Sequence, residues 1–385
     1  MKVTLETTQI SILMEKTRLY ATQWSGCNTV SFKIADNKLT LFLVDKSVNA
    51  YIKTSVDVEY DGQPIYFSLN KLMWNTVLGK YNCENNFEVE VTGDNKIKFT
   101  SGGKSIDLAC STFSDPDILE GIFAEVKEET TTKGTELVVE HELLKDLELI
   151  YSLYRENYKY KDNHEPAIKI SDDKIVYMDY LLIGFIHNLR KRTGLTQGIQ
   201  FNMELLPVIK ASVSFCNSYF FSENVNGDTT VYWKDDTTEF IVTCPRIAGS
   251  DCEVEIEASK PMDTEHGFDV SLSQFSAAMK LFDGFYETEY KEFVIDAVAD
   301  ESLTLHLNSY NVHIDEAVQD TVPGITGKIG VRGPNMETVI DAMLKENQDD
   351  ARMYFDEYEA RSLACTVGDE YFFIFGTIGD YSSEM

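Results

Sequence analysis

The sequence predicts an α+β protein of three repeated domains, each with two helices packed on antiparallel sheets. Three observations predict it. Between Phe67 and Cys110 an apolar stripe at helical spacing (Leu69, Leu72, Met73, Thr76 and Val77) gives way to period-two alternation. Phe87, Val89 and Val91 alternate with Glu88, Glu90 and Thr92, and Ile97/Phe99 and Ile106/Leu108 alternate on either side of Ser101-Gly102-Gly103. The same plan returns 134 residues further on, where Phe201-Asn202-Met203-Glu204 stands for Phe67-Ser68-Leu69-Asn70 and Cys244 for Cys110. It returns again at Pro334-Asn335-Met336, with the stripe Met336, Val339, Ile340, Met343 and Leu344.

Taken in order, the first copy opens with a strand at Lys2–Leu5 and a helix over 8–22 that carries Ile10, Leu13, Met14, Thr17 and Ala21. Strands at Thr29–Ile34, Leu39–Val44 and from Ala50 to Tyr60 lead through Asp61-Gly62-Gln63-Pro64 into a helix over 69–81. The second copy has a strand at Glu136–Val139 and a helix over 141–157 with Leu143, Leu147, Ile150, Tyr151 and Tyr154. Strands follow at Ile168–Ile170, Ile175–Met178 and from Tyr180 to Leu189, then a helix over 202–216 and strands at Tyr219–Phe221, Val231–Trp233 and Phe240–Thr243. The third copy has a strand at Phe268–Val270, helices over 271–285 and 335–347, and strands at Phe293–Val298, Leu303–Leu307, Met353–Phe355, Ser362–Val367 and Tyr371–Phe375. The domains are thus expected at 1–126, 135–249 and 266–385. The polar stretches 127–134 (KEETTTKG) and 250–265 are read as linkers.

No catalytic grouping stands out. The six histidines form no HxH or HExxH pair, and Gly324-Ile325-Thr326-Gly327-Lys328 lacks the glycine spacing and the Ser or Thr of a phosphate loop. No enzyme activity, cofactor or metal is therefore expected. Seven cysteines without a CxxC pair read as reduced thiols in a reducing compartment. The absence of a long apolar run or a charged-then-apolar start predicts no membrane span and no secretory signal.

A net charge of −30 argues, taken alone, against nucleic-acid binding. Its distribution argues otherwise. The six expected helices carry Lys16, Arg18, Lys71, Lys80, Lys145, Arg155, Lys210, Lys280 and Lys345 against a similar number of acids, so the acidity lies on strands and loops. If the helices line one surface, that surface repels phosphate far less than the rest. The alternative is that long basic side chains simply suit exposed helix positions.

Three copies of a two-helix domain, ending in the apolar strand Tyr371-Phe372-Phe373-Ile374-Phe375-Gly376-Thr377-Ile378, resemble the three-domain bacterial sliding clamp, the DNA polymerase III β subunit family. The likeness covers essentially the whole chain, and the abundance of Asn, Tyr, Lys and Asp with few prolines suggests a phage version. The resemblance implies a DNA clamp fold in which two subunits close head to tail into a homodimeric ring, helices inside and sheets outside. It implies a processivity factor that encircles duplex DNA without reading its sequence and tethers the replicative DNA polymerase. It also implies an ATP-driven clamp loader and a cytoplasmic setting in a bacterial cell or a phage-infected bacterium.

On this reading Lys16, Arg18, Lys71, Lys80, Lys145, Arg155, Lys210 and Lys280 face DNA, with Arg190-Lys191-Arg192 as a looser candidate. A pocket for partner peptides falls on Tyr180, Leu182, Pro245, Ile247, Phe373, Phe375 and Ile378. Two features depart from the family: the tail runs on past Ile378 as GDYSSEM, and the third copy's second helix is acidic at Glu337, Asp341 and Glu346. The competing reading is an acidic repeat scaffold that assembles replication, transcription or repair partners without encircling DNA.

Overall fold

Side-chain alternation and short turns build the sheets. The computed structural model describes residues 2–21, 28–45, 50–80, 86–92, 95–111, 116–157, 166–179, 183–224, 226–244, 251–260, 267–285, 292–308, 312–319, 321–355 and 362–376. The first copy runs β1 (Lys2–Leu5), α1 (Thr7–Ala21), β2 (Thr29–Ala35), β3 (Lys38–Asp45), β4 (Ala50–Asp57), β5 (Ile65–Asn70), α2 (Lys71–Lys80), β6 (Phe87–Thr92), β7 (Lys96–Ser101) and β8 (Lys104–Ala109). After α3 (Pro116–Lys133) the order repeats as β9 (Thr135–Val138), α4 (His141–Asn157), β10 (Ala167–Ile170), β11 (Lys174–Asp179), β12 (Ile183–Asn188) and β13 (Ile199–Asn202). A 3-10 turn at Met203–Leu205 then leads to α5 (Leu206–Ser212), β14 (Ser218–Glu223), β15 (Thr229–Lys234) and β16 (Thr238–Cys244). After α6 (Cys252–Ser259) the third copy is β17 (Phe268–Ser271), α7 (Leu272–Lys280), β18 (Glu292–Val298), β19 (Ser302–Asn308), β20 (His313–Val318) and β21 (Gly327–Arg332). It ends with α8 (Gly333–Lys345), β22 (Asp350–Tyr354), β23 (Ser362–Val367) and β24 (Tyr371–Gly376).

Two hairpins show the turn chemistry directly. Asp36 and Asn37 both take positive φ between β2 and β3, and Gly102 and Gly103 do so between β7 and β8. Consecutive left-handed residues match the twist of antiparallel strands, and Asp, Asn and Gly tolerate that conformation best.

The chain divides into two compact units, Met1–Val139 with Pro207–Arg246, and Glu140–Leu206 with Ile247–Met385. The first holds a four-stranded sheet, β1-β6-β7-β8, and an eight-stranded sheet, β5-β2-β3-β4-β16-β15-β14-β9. The second holds an eight-stranded sheet, β13-β10-β11-β12-β24-β23-β22-β17, and a four-stranded sheet, β20-β19-β18-β21. Each eight-stranded sheet therefore joins half-sheets of two successive copies. In the first unit the join pairs Ile52 with Phe240 and Thr54 with Thr238. In the second it pairs Phe185 with Phe373 and His187 with Tyr371.

All six expected helices are present, but two stretches behave differently from the sequence reading. Phe67–Asn70 and Phe201–Asn202 end strands β5 and β13 instead of opening helices, because Ile65, Phe67 and Leu69 alternate inward against β2. Asn70 then starts α2, its Oδ1 accepting the Leu72 amide at 2.9 Å. The inward side of α2 is Trp74 and Val77, with Trp74 edge-on to Phe32. Leu72 and Met73, expected in the stripe, are 75% and 43% exposed.

The two stretches read as linkers contain helix. α3 extends through Lys133 and lies across β14, β15, β16 and β9 of its unit. Phe123 packs among Phe42, Tyr232 and Ile241, with Leu119 and Val126 beside it. α6 is capped by Asp251, whose side chain accepts the Glu253 amide at 3.0 Å, and its Cys252 and Ile256 pack on Val176, Ile186 and Ile374. Threonines and glutamates form helix in α3 because packing outweighs their modest propensity.

Candidate nucleic-acid interface and partner pocket

Lys16 is the clearest correction. It lies on the inward side of α1 with Ile10 and Leu13 and is 5% exposed. The position 134 residues on is Ile150, wholly buried in α4, so the lysine occupies a core place. Its ammonium donates to Asp235 Oδ2 in the turn between β15 and β16 and stands 3.6 Å from the centre of the Phe215 ring. Asp235 also accepts the Thr237 and Thr238 amides, each at 2.8 Å. Burial alone would push the Asp235 carboxyl up. The Lys16 ammonium and the two amides outweigh it and hold the carboxyl below the usual carboxylate range. Lys16 is thus a buried, fully engaged cation and is withdrawn as a DNA contact.

The other basic candidates are spread across both units. Lys145 on α4 and Lys280 in the last turn of α7 are exposed. Lys71 at the start of α2 and Lys210 in the last turn of α5 are half-buried. The side chains of Arg18, Lys80 and Arg155 lie outside the described residues. Arg190, Lys191 and Arg192 are exposed, but each sits on a carboxylate: Arg190 on Glu370 at 2.6 Å, Lys191 on Glu140, and Arg192 on Asp172 at 3.1 Å. That loop is locally neutral, and exposed pairs of this kind contribute little. α4 and α7 both pack on α8, whose Glu337, Asp341 and Glu346 bring negative charge to the same group of helices.

The first unit also has a cleft of about 790 Å³ lined by Asp36, Asp57, Glu59 and Asp61 with Gln9 and Tyr60. Four carboxylates there repel phosphate, in keeping with acidity concentrated on strands and loops.

Of the expected peptide pocket, Phe373 and Phe375 fall among the described residues. Tyr180, Leu182, Pro245, Ile247 and Ile378 lie outside the described residues. Phe373 and Phe375 on β24 are buried, with Phe373 stacked on Phe185 at 4.8 Å and Phe375 next along the same row. Their side chains hold the β12–β24 junction together and offer no exposed wall for a peptide. Beside them His187 is buried, stacked 4.5 Å from Tyr371 and placed 3.1 Å from Asp146 on α4. Burial, with Asp146 and Glu370 nearby, pushes the Tyr371 hydroxyl up to about 12.

The junctions themselves were missed in the sequence, although the repeat carried a signal for them. At the first, Glu239 of β16 takes Lys53 of β4 at 3.2 Å and Lys127 of α3 at 2.7 Å, and Thr54 and Thr238 share a buried hydroxyl pair at 3.2 Å. Burial would raise the Glu239 carboxyl, but the two lysines hold it below its usual range. Among the described residues no group of three or more His, Cys, Asp or Glu side chains is placed to hold a metal ion. No described helix is long and apolar enough to cross a membrane.

The paired helices, continuous sheets and three repeats define an α+β clamp architecture. It is the fold of the bacterial sliding clamps. The chain superposes on the DNA polymerase III β subunit of Pseudomonas aeruginosa with a TM-score of 0.72 at 11% identity, covering 99% of this chain and 100% of that one. The β chain from Streptococcus pneumoniae gives 0.71 at 11% identity over 98% and 100%. Caulobacter crescentus pol III β gives 0.72 at 11% over 99% and 100%. No family model and no curated protein sequence matches the chain. The similarity is one of fold, carried by the pattern of burial and pairing with little residue identity.

Proposed function

We propose that the protein is a sliding clamp: a non-catalytic homodimeric ring that encircles duplex DNA and tethers a replicative DNA polymerase in a bacterial cytoplasm. One observation carries this reading. β4, β12 and β20 hold equivalent places in the three copies, as do β16, β24 and β8. Two of the three possible joins, β4 with β16 and β12 with β24, are made within the chain. β20 and β8 are the two left over, each at a sheet edge. A second copy placed head to tail supplies the missing partner at both ends and closes the set, which removes two unpaired edges at once. Three domains near 1–126, 135–249 and 266–385 then become six around a ring.

Encirclement explains how so acidic a chain works on DNA. A closed ring needs only weak phosphate contacts, because topology keeps it on the duplex and holds a bound polymerase at high effective concentration. Lys145 and Lys280, with Lys71, Lys80, Lys210, Arg18 and Arg155, supply those contacts in this reading. A separate ATP-driven loader opens the ring in this reading.

Charge reversal tests it. Lys145→Glu with Lys280→Glu is expected to lower the salt dependence of DNA binding by about one in log–log slope for each phosphate that the ring no longer neutralises. Unfolding free energy should stay within about 0.5 kcal/mol, as expected for exposed positions. An unchanged slope, with the fold intact, would count against helices that face DNA and favour the scaffold reading.

A further inference from the structure

The hairpin between β14 and β15 carries a reactive step that the clamp role leaves unused. Asn226-Gly227 is the one Asn-Gly step in the 385 residues. Asn226 is exposed, and Gly227 takes φ +85°. Glycine has no side chain to screen its amide, so the nitrogen that follows such an asparagine can reach the asparagine's own side-chain carbonyl. That makes the step the most labile kind of asparagine site.

The reaction needs only water and base. The Gly227 amide gives up its proton to solvent, its nitrogen bonds to Asn226 Cγ, and the side-chain nitrogen leaves as ammonia. Water then opens the cyclic imide. Breaking the new Cγ–N bond gives aspartate. Breaking the original backbone bond gives isoaspartate, whose chain runs through the side chain and is one carbon longer.

The surrounding hydrogen bonds oppose the first step. Gly227 N donates to Asn224 O at 2.9 Å, so the nucleophile is already turned toward another carbonyl. Asn224 Oδ1 accepts the Asn226 amide at 2.8 Å and the Asp228 amide at 3.0 Å, and Asn224 Nδ2 donates to Asp228 Oδ2 at 3.0 Å. The Asn224 amide donates to Asp228 O at 3.0 Å, next to the Glu223–Thr229 pair that ends the ladder. One residue thus holds the backbone on both sides of the reactive step. Bringing the Gly227 nitrogen onto Cγ means breaking its bond to Asn224 and turning a peptide that the Asn224 side chain restrains from either end. Below these residues the strands are firm, since α3 packs on β14 and β15.

We infer that Asn226 is a site of spontaneous modification protected by Asn224: its amide persists while Asn224 holds the hairpin end and converts to aspartate and isoaspartate when that end opens. The change is one-way. Either product sets a new carboxylate close to Asp228, and isoaspartate also lengthens the backbone between the Asn224 contacts. Residue 226 therefore records how often the hairpin end has opened, whether or not the chain forms a ring.

Full-length protein aged in mildly alkaline buffer, with and without urea, tests this by digestion and tandem mass spectrometry. The mass gain of an amide-to-acid exchange is expected first at Asn226. It should appear at least about tenfold more slowly in the folded chain than in urea, because one net hydrogen bond slows opening about fivefold and several must break. Asn224→Ala should speed it about fivefold or more in folded protein and leave the rate in urea unchanged, which separates protection from the chemistry itself. Equal rates with and without urea in the unsubstituted chain, or a folded Asn224→Ala chain that ages no faster, would overturn the protection. A gain that appears first at a different asparagine in urea would overturn the site.

Discussion

Lys16→Ala is expected to lower unfolding free energy by about 3–5 kcal/mol, the range for removing one partner of a buried ion pair. The side chains of Lys16 and Asp235 are only 6% and 14% exposed, so the carboxylate left behind would have little water to replace the ammonium. The same substitution empties the space over the Phe215 ring. Lys16→Met with Asp235→Asn should recover most of the loss, since an asparagine oxygen still accepts the Thr237 and Thr238 amides and no charge remains buried. The pH dependence has a definite sign. The Asp235 carboxyl titrates lower folded than unfolded, so its contribution is present above the ordinary aspartate value of about 3.9 and lost as pH falls through the folded value. The gap between Lys16→Ala and the unsubstituted protein should therefore be widest at neutral pH and shrink below about pH 4. Denaturant melts at several pH values check both statements. A drop under about 1 kcal/mol with weakened DNA binding would return Lys16 to the DNA-facing set.

Phe123→Ala is the second large effect, at about 3–5 kcal/mol for truncating a buried aromatic. Phe123 is 3% exposed and meets the Phe42 and Tyr51 rings at 6.4 and 6.5 Å. It fastens α3 over strands from both half-sheets, Phe42 and Tyr51 from the first copy and Tyr232 and Ile241 from the second. Hydrogen exchange should consequently speed up in β4 and β16 on both sides of the join. Loss of protection confined to α3 would mean the helix only rests on the sheet.

The contrast between these two residues shows what could be read in the chain and what could not. The strand Lys2–Leu5 was readable residue for residue, because one face is buried and the period of two is clean. α4 was readable for the analogous reason, with Leu143, Leu147 and Ile150 all inward. α3 was not, because Thr130 and its neighbours look like a polar linker until the far side of the sheet is known. There Thr130 is buried and its hydroxyl meets Ser222 at 3.2 Å. Lys16 misled for the opposite reason: a lysine on a helix reads as surface, and the acid that neutralises it lies 219 residues away. Phe373 and Phe375 were correctly placed on the last strand, but a run of aromatics does not reveal whether it lines a groove or fills a core. The joins between copies were encoded in the repeat, yet pairing follows from which edges are left over, and that needs the strand order.

The central claim is that the chain closes around DNA, and topology tests it most directly. Protein would be diluted until it dissociates, mixed with nicked circular duplex, concentrated, joined between subunits with a bifunctional amine cross-linker and washed in concentrated salt. Protein is expected to stay on the circle and to leave when a single restriction cut makes the duplex linear. Removal by salt from circle and linear DNA alike, with the covalent dimer formed, would contradict it.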